Sequence, residues 1–424
     1  MFNLIEKENV NVRRLLAGRV LTNIADSLFY MAILWFFKVR FHSPLILSLI
    51  FVADSSIEML SFVFGPLIDR VYIKKMLTLV TLMRIVTSVI ATLLFQVKLW
   101  RDLVIWLLLG VYVISTIGST LIYPAEEKIL PVIVSKAKLT KVNGVFQMTY
   151  KTLDLFLNAA ATLLITWMSF DSTVIISAVF FASALTFYTR LILPRKLLLP
   201  NKSNEYFTEN YGQDLFKGWQ TLKQEGKIAR LIMPFAVTNL FYGISSVGLP
   251  YFATEHLTKS AISYGGLELA SSIGGLVGSV LVQRLTFDKS KIERLVVICL
   301  TLSGLAIVLE PAVPKGMPFL LLILFFTSEL WIVMMNINFE VLVQESFSPH
   351  ILGRVETINE SILSSMIPIG SFLGGLIVAH FGADWAIALE GIAQILTAGY
   401  YFVIGKKKQI KIHSSLLFSC KNYA

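Results

Sequence analysis

The chain has 424 residues, of which 55% are hydrophobic and 15% charged, and its mean hydropathy is +0.72. Soluble domains carry about 25% charged residues, so an ordinary water-soluble enzyme or binding module is excluded. The net charge of +10 does not mark a nucleic-acid binder, because Lys and Arg fall in the breaks between apolar runs, where topology signals lie.

A bilayer core about 30 Å thick takes roughly 20 apolar residues per helix. The apolar runs predict twelve such helices, at 15–37, 45–68, 76–97, 103–125, 143–168, 172–193, 229–254, 262–286, 295–312, 317–342, 352–379 and 384–405. The first run follows a polar segment ending at Arg14. It is longer than a signal-peptide core and lacks a small-residue cleavage site, so it reads as a retained helix. Asp26 lies near its middle, with Tyr30 one turn on. The second carries Asp54 and Glu58, four apart and so on one face. Arg84 in the third is placed to tie to either of them. The fifth carries Lys151 and Asp154, able to neutralise each other or to work in transport.

After the sixth run comes the longest polar break, 194–228. Within it Leu215, Phe216, Trp219 and Leu222 share one helical face, the pattern of a helix lying on a membrane surface. The seventh run holds Phe241 and Tyr242. The eighth holds Glu268 and the pair Gly274 and Gly278, a spacing that permits close helix contact. The tenth holds Glu329, with Trp331, Met334 and Met335 beside it. The eleventh holds Glu360, the pair Gly370 and Gly374, and Pro368, where a kink is expected. Glu390 stands near the outer end of the twelfth. Four regions result: a six-helix bundle over 1–193, an interdomain loop over 194–228, a second bundle over 229–405, and a basic tail over 406–424.

Of the 37 Lys and Arg residues, 25 fall on the side of the termini and six on the other. This bias predicts a plasma or inner membrane protein with both termini in the cytoplasm. Ionisable residues inside the membrane are functional candidates by default: Asp26, Asp54, Glu58, Arg84, Asp154, Glu329 and Glu360. Tyr30, Phe241, Tyr242, Trp331, Met334 and Met335 are candidates for lining an apolar cavity suited to amphipathic ligands, against the plainer reading of packing or lipid-facing residues. No phosphate-binding glycine loop, metal-ligand spacing or nucleophile elbow is present. The five histidines are placed in loops or tails. No enzyme activity, metal or cofactor is expected.

The halves repeat. Leu139-Thr-Lys-Val142 and Leu352-Gly-Arg-Val355 follow the fourth and tenth helices at an offset of 213 residues, which also relates Gly65 to Gly278 and Gln147 to Glu360. Two related halves around a midplane site are a transporter plan. Between helices two and three stands Gly65-Pro-Leu67-Ile-Asp69-Arg70-Val-Tyr-Ile-Lys74-Lys75, a charged loop able to act as a latch between states or simply to hold topology.

This loop resembles the signature of the major facilitator superfamily, on Gly65, Leu67, Asp69, Arg70, Lys74 and Lys75. Tyr72 stands in place of the usual second glycine. Leu139–Asn143 with Gln147, Lys217–Lys227 and Pro349–Val355 are similar to segments of its macrolide-efflux-like and multidrug exporters. The resemblance implies an all-α membrane protein of twelve transmembrane helices in two pseudo-symmetric six-helix bundles. It implies a monomer in the lipid bilayer, exporting a small-molecule substrate against protons or another ion. It also implies coupling carboxylates in helices five and ten, hence Asp154 and Glu329. Two departures weigh against proton coupling: Ile114-Ser-Thr-Ile-Gly118 has no arginine, and Asn158-Ala-Ala-Ala replaces the proline- and glycine-rich antiporter motif. A lipid, peptide or siderophore exporter or flippase, and a non-transporting sensor or scaffold, are the alternatives.

Overall fold

The computed structural model describes residues 10–60, 71–97, 100–193, 220, 226–284, 292–346 and 362–421. These form twelve α-helices, with no strand among the described residues: α1 Val10–Phe41, α2 Pro44–Met59, α3 Ile73–Gln96, α4 Arg101–Ile133, α5 Lys136–Trp167, α6 Phe170–Thr189, α7 Gly226–His256, α8 Ala261–Arg284, α9 Ile292–Leu309, α10 Pro318–Ser346, α11 Ile367–Phe381 and α12 Ala383–Lys421. Ten are long and apolar enough to cross a membrane. The described part of α2 is only 16 residues, and the apolar part of α5 is Phe156–Trp167, so ten of the twelve expected spans are established by length and composition.

Short turns join the helices where sequence signals stand. Ser43 caps α2 by accepting from the Ile46 N–H at 3.4 Å, with Pro44 in the first turn, and Ser169 caps α6 through the Ser172 N–H at 3.2 Å. These are N-cap side chains satisfying donors that the helix leaves open. Gly382, at φ +93°, turns the chain from α11 into α12, a backbone angle that favours glycine.

Three boundaries differ from expectation. Helix α4 continues past residue 125, through Pro124 and Pro131, to Ile133. The charges of Glu126-Glu-Lys suggested a loop, yet Glu126 is buried against partners from α1 and α6. The eleventh run is interrupted beside Pro368: residues 362–364 are helical, 365–366 form a turn, and α11 starts at Ile367 with Pro368 in its first turn, where its missing N–H has no helical partner to lose. Helix α12 runs on to Lys421, since nothing between 406 and 421 breaks a helix.

The chain divides into two compact units, Met1–Gln213 with Thr258–Leu269, and Asp214–Leu257 with Ala270–Ala424. In the first, α1 and α3 both pack on α6, and α2 packs on α4. Its core includes Leu15, Ile73, Leu77, Ile122, Ile129 and Tyr188. In the second, α12 packs on α7 and α9, and α11 on α7, around Phe235, Cys299, Met334, Met335 and Tyr401. Gly274 and Gly278 set α8 against the α10 backbone at Phe326 and Leu330. Gly370 and Gly374 likewise set α11 against α7 at Leu240 and Ile244.

Candidate functional site

The first unit holds a partly open cavity of about 180 Å³ among its apolar helices. Its lining is polar and aromatic, and includes Asp26, Tyr30, Asp54, Arg84, Tyr112 and Asn158. Arg84 rises from the middle of α3 and is 2% exposed. Its guanidinium lies over the Phe181 ring of α6, 4.4 Å from the centroid, and forms an ion pair with Asp26 of α1. The Arg84 Nη1 donates to Asp26 Oδ2 at 3.0 Å, and the Ser119 hydroxyl of α4 donates to the same oxygen at 3.1 Å. A buried charge is tolerable only when paired and hydrogen-bonded in this way.

Arg84 therefore ties to Asp26, not to Asp54 or Glu58 as expected. The reason is packing. Helix α2 lies on α4, so Asp54 meets the Tyr112 hydroxyl, which donates at 2.6 Å. Glu58 is exposed. The Tyr112 and Tyr30 rings lie 6.3 Å apart beside this bond, giving the cavity one aromatic wall next to its two carboxylates. Asn158 of α5 adds an amide.

One layer away, Arg19 of α1 lies 3.6 Å from Glu126 of α4, and Tyr188 of α6 donates to Glu126 at 2.9 Å. All three are buried. Sequence reasoning missed this group because it ended the fourth helix before Glu126. The available signal was an in-membrane Arg19 lacking an assigned partner. Tyr112 and Ser119 also went unmarked, since a lone Tyr or Ser in an apolar run carries no pattern.

At the end of α6 the backbone is held by side chains. Lys74 Nζ donates to the Leu191 carbonyl at 2.6 Å. Asn11 donates to the Ile192 carbonyl at 2.7 Å and accepts from its N–H at 3.0 Å. Lys75 is exposed. Gly65, Leu67, Asp69 and Arg70 of the loop motif lie outside the described residues, as do Glu360, the side chain of Asp154 and most of the 212–227 segment.

The remaining candidates sit in the second unit. Glu329 of α10 packs beside Gly275 of α8. Met334 and Met335 are each 2% exposed within the core, with Trp331 packed against it, so these three do not line the described cavity. Phe241 is half-buried and Tyr242 exposed. His256 corrects the expectation of loop histidines: it ends α7, buried, 2.8 Å from Asp384 of α12. His380 and His413 also lie within helices, α11 and α12. Among the described residues no group of three or more side chains is arranged to hold a metal ion.

The family model described as Major Facilitator Superfamily matches residues 15–366. The chain is 22% identical over 387 residues to "Macrolide efflux protein A" of Streptococcus pyogenes, covering 90% of this chain and 93% of that protein. The protein of the same name from Enterococcus faecalis is 22% identical over 314 residues, covering 73% and 94%. Among solved structures, a mutant of the nucleoside transporter NupG superposes with a TM-score of 0.73 at 12% identity, covering 93% of this chain and 99% of that one. A bacterial metal transporter superposes at 0.69 and 14% identity, covering 94% and 99%.

Proposed function

The chain belongs to the Major Facilitator Superfamily, and from that premise we propose that it is a secondary active exporter of small amphipathic or cationic compounds, macrolides among them, driven by exchange for protons. The observation that carries this reading is the cavity of the first unit, where two carboxylates, Asp26 and Asp54, stand beside aromatic rings inside an apolar bundle. An amphipathic cation finds there both a hydrophobic wall and a negative partner. Binding near Asp26 competes with Arg84 for the same carboxylate, so occupancy bears on the tie between α1 and α3. The likeness to macrolide efflux proteins supports the substrate class.

In this reading transport proceeds by alternating access, the protein is a monomer of the plasma membrane, and the skew of Lys and Arg supports placing both termini in the cytoplasm. Asp154 and Glu329 belong to the proposal as additional proton carriers.

The test is efflux of a labelled macrolide and of a cationic dye from cells making the parent protein, Asp54→Asn or Asp26→Asn. Expected are export by the parent, abolished by a protonophore, and a loss of tenfold or so in Asp54→Asn. Export no greater than in cells with empty vector, for both compounds, overturns the reading.

A further inference from the structure

The cavity of the first unit is smaller than a whole drug-sized substrate. Pockets that enclose such ligands measure about 300–1,000 Å³. This one, at about 180 Å³, offers the space of about six waters at roughly 30 Å³ each. It is also partly open, so it can take one group of a large molecule and leave the rest outside. The lining residues define the chemistry of that group.

The two carboxylates are not equivalent. Asp26 is neutralised by Arg84 and also accepts from Ser119. Asp54 accepts from the Tyr112 hydroxyl at 2.6 Å and has no basic partner among the described residues. It offers one uncompensated negative charge beside the Tyr30 and Tyr112 rings. A carboxylate next to aromatic faces suits an ammonium, which is attracted by both.

Ser115 of α4 adds a second requirement. It is 1% exposed and lines the cavity, and its hydroxyl has no hydrogen-bond partner among the described residues. Other buried hydroxyls of this unit donate to a carbonyl one turn back: Thr81 to Leu77 at 2.7 Å, and Thr87 and Ser88 to Arg84, each at 2.9 Å. That is the usual local solution for Ser and Thr inside a helix, and Ser115 departs from it. Its neighbours on α4 are already committed. Tyr112, three residues before it, holds Asp54, and Ser119, four residues after it, holds Asp26. Positions three and four apart share a helix face, so Ser115 stands on the face of α4 that meets both carboxylates. A buried hydroxyl without a partner is penalised. A site containing one discriminates against ligands that cannot complete the bond.

We propose that Ser115 is a specificity-determining residue: the cavity takes a compact amine that also carries a hydroxyl, with the ammonium against Asp54 and the ligand hydroxyl paired with Ser115, as one arm of a larger amphipathic molecule. An amino-sugar group is of this kind. The proposal rests on the reading of this cavity as the ligand site. It adds a requirement that charge and apolar character do not impose: a plain lipophilic amine is a poorer ligand than its hydroxylated counterpart.

The experiment is isothermal titration calorimetry on the purified full-length protein with fragments of suitable size. These are cyclohexylamine, the aminocyclohexanols hydroxylated at the second, third or fourth carbon, and cyclohexanol. The proteins are the parent, Ser115→Ala and Asp54→Asn. In the parent at least one aminocyclohexanol is expected to bind roughly tenfold tighter than cyclohexylamine, and cyclohexanol is expected not to bind. Asp54→Asn is expected to weaken every amine about tenfold or more. Ser115→Ala is expected to bring the preferred aminocyclohexanol down to the level of cyclohexylamine while leaving cyclohexylamine unchanged, a split that a merely structural role does not produce. A parent that binds no amine or prefers no aminocyclohexanol overturns the proposal. So does a Ser115→Ala protein that weakens both classes alike or neither, amine binding undiminished in Asp54→Asn, or cyclohexanol bound as tightly as the amines. If Ser115→Ala does not fold, Ser115→Cys, close in size and a weaker donor, takes its place under the same expectations. The cyclohexanol arm tests the charge requirement without any variant. Drug export by the parent without these preferences removes the assignment of Ser115 and leaves the transport reading; the preferences without drug export remove the transport reading alone.

Discussion

At the scale of residues, the Asp26–Arg84 pair gives the most discriminating test. Asp26→Asn leaves Arg84 buried without its counter-charge, which costs about 3–5 kcal/mol in comparable buried pairs. A lower Tm and low yield are expected. The double variant Asp26→Asn/Arg84→Met removes both charges and is expected to recover most of the lost Tm while remaining inactive in efflux. Full efflux in the double variant would show the pair to be a structural tie only. Tyr112→Phe is a milder probe. It deletes the 2.6 Å bond to Asp54 while keeping the ring, and a cost of about 1–3 kcal/mol is expected from the unpaired carboxylate, read as a Tm loss of a few degrees. The sequence made Asp26, Asp54 and Arg84 visible, because a charge in an apolar run stands out. It did not reveal who pairs with whom, since that depends on which helices touch. The stretch Ile114–Gly118 lacks an arginine, yet a guanidinium reaches this place from α3, with the Arg84 Cδ against Gly118.

At the scale of elements, glycine placement decides helix spacing. Gly391→Leu would drive a side chain into the Gly304 backbone, and Gly374→Leu would meet the Ile244 carbonyl at a would-be Cβ distance of 2.7 Å. Overpacking of this kind typically costs 1–3 kcal/mol or more. Gly399→Ala is the control, because nothing lies within 4 Å of its would-be Cβ. Thermal scans are expected to show a marked Tm loss in the first two and none in the third; equal effects would refute close packing as the role of these glycines. The pairs Gly274/Gly278 and Gly370/Gly374 were legible from their spacing of four. Gly304 and Gly391 were not, because each stands alone and faces its partner from a distant part of the chain. Helix ends were the least legible feature. The charges from Glu126 onward read as a loop, whereas Glu126 is buried with Arg19 and Tyr188 as partners and the helix continues to Ile133.

At the scale of the whole molecule, the skew of basic residues makes the strongest prediction. A reporter that works only in the cytoplasm, fused after Ala424, is expected to be active, and one that works only outside is expected to be silent. The reverse pattern would invert the proposed topology. The all-α membrane architecture was plain from hydropathy alone, since a bilayer leaves few other solutions for a chain of this composition. The cavity was not plain, because it is assembled by residues from five helices spread over Asp26 to Asn158.

The order of synthesis adds a demand of its own. Asp26 leaves the ribosome 58 residues ahead of Arg84. At about 5–20 residues per second this is an interval of roughly 3–12 s. During it the first helix presents a carboxylate with no counter-charge, and entering lipid that way is penalised by about 2.5–3.5 kcal/mol. The insertion machinery must therefore retain that helix, or shelter its acid with water, until the third helix arrives. Arg84→Leu never delivers the awaited charge. Its defect should appear during biogenesis, as nascent chains recovered still crosslinked to the insertion channel, before any mature protein exists to unfold.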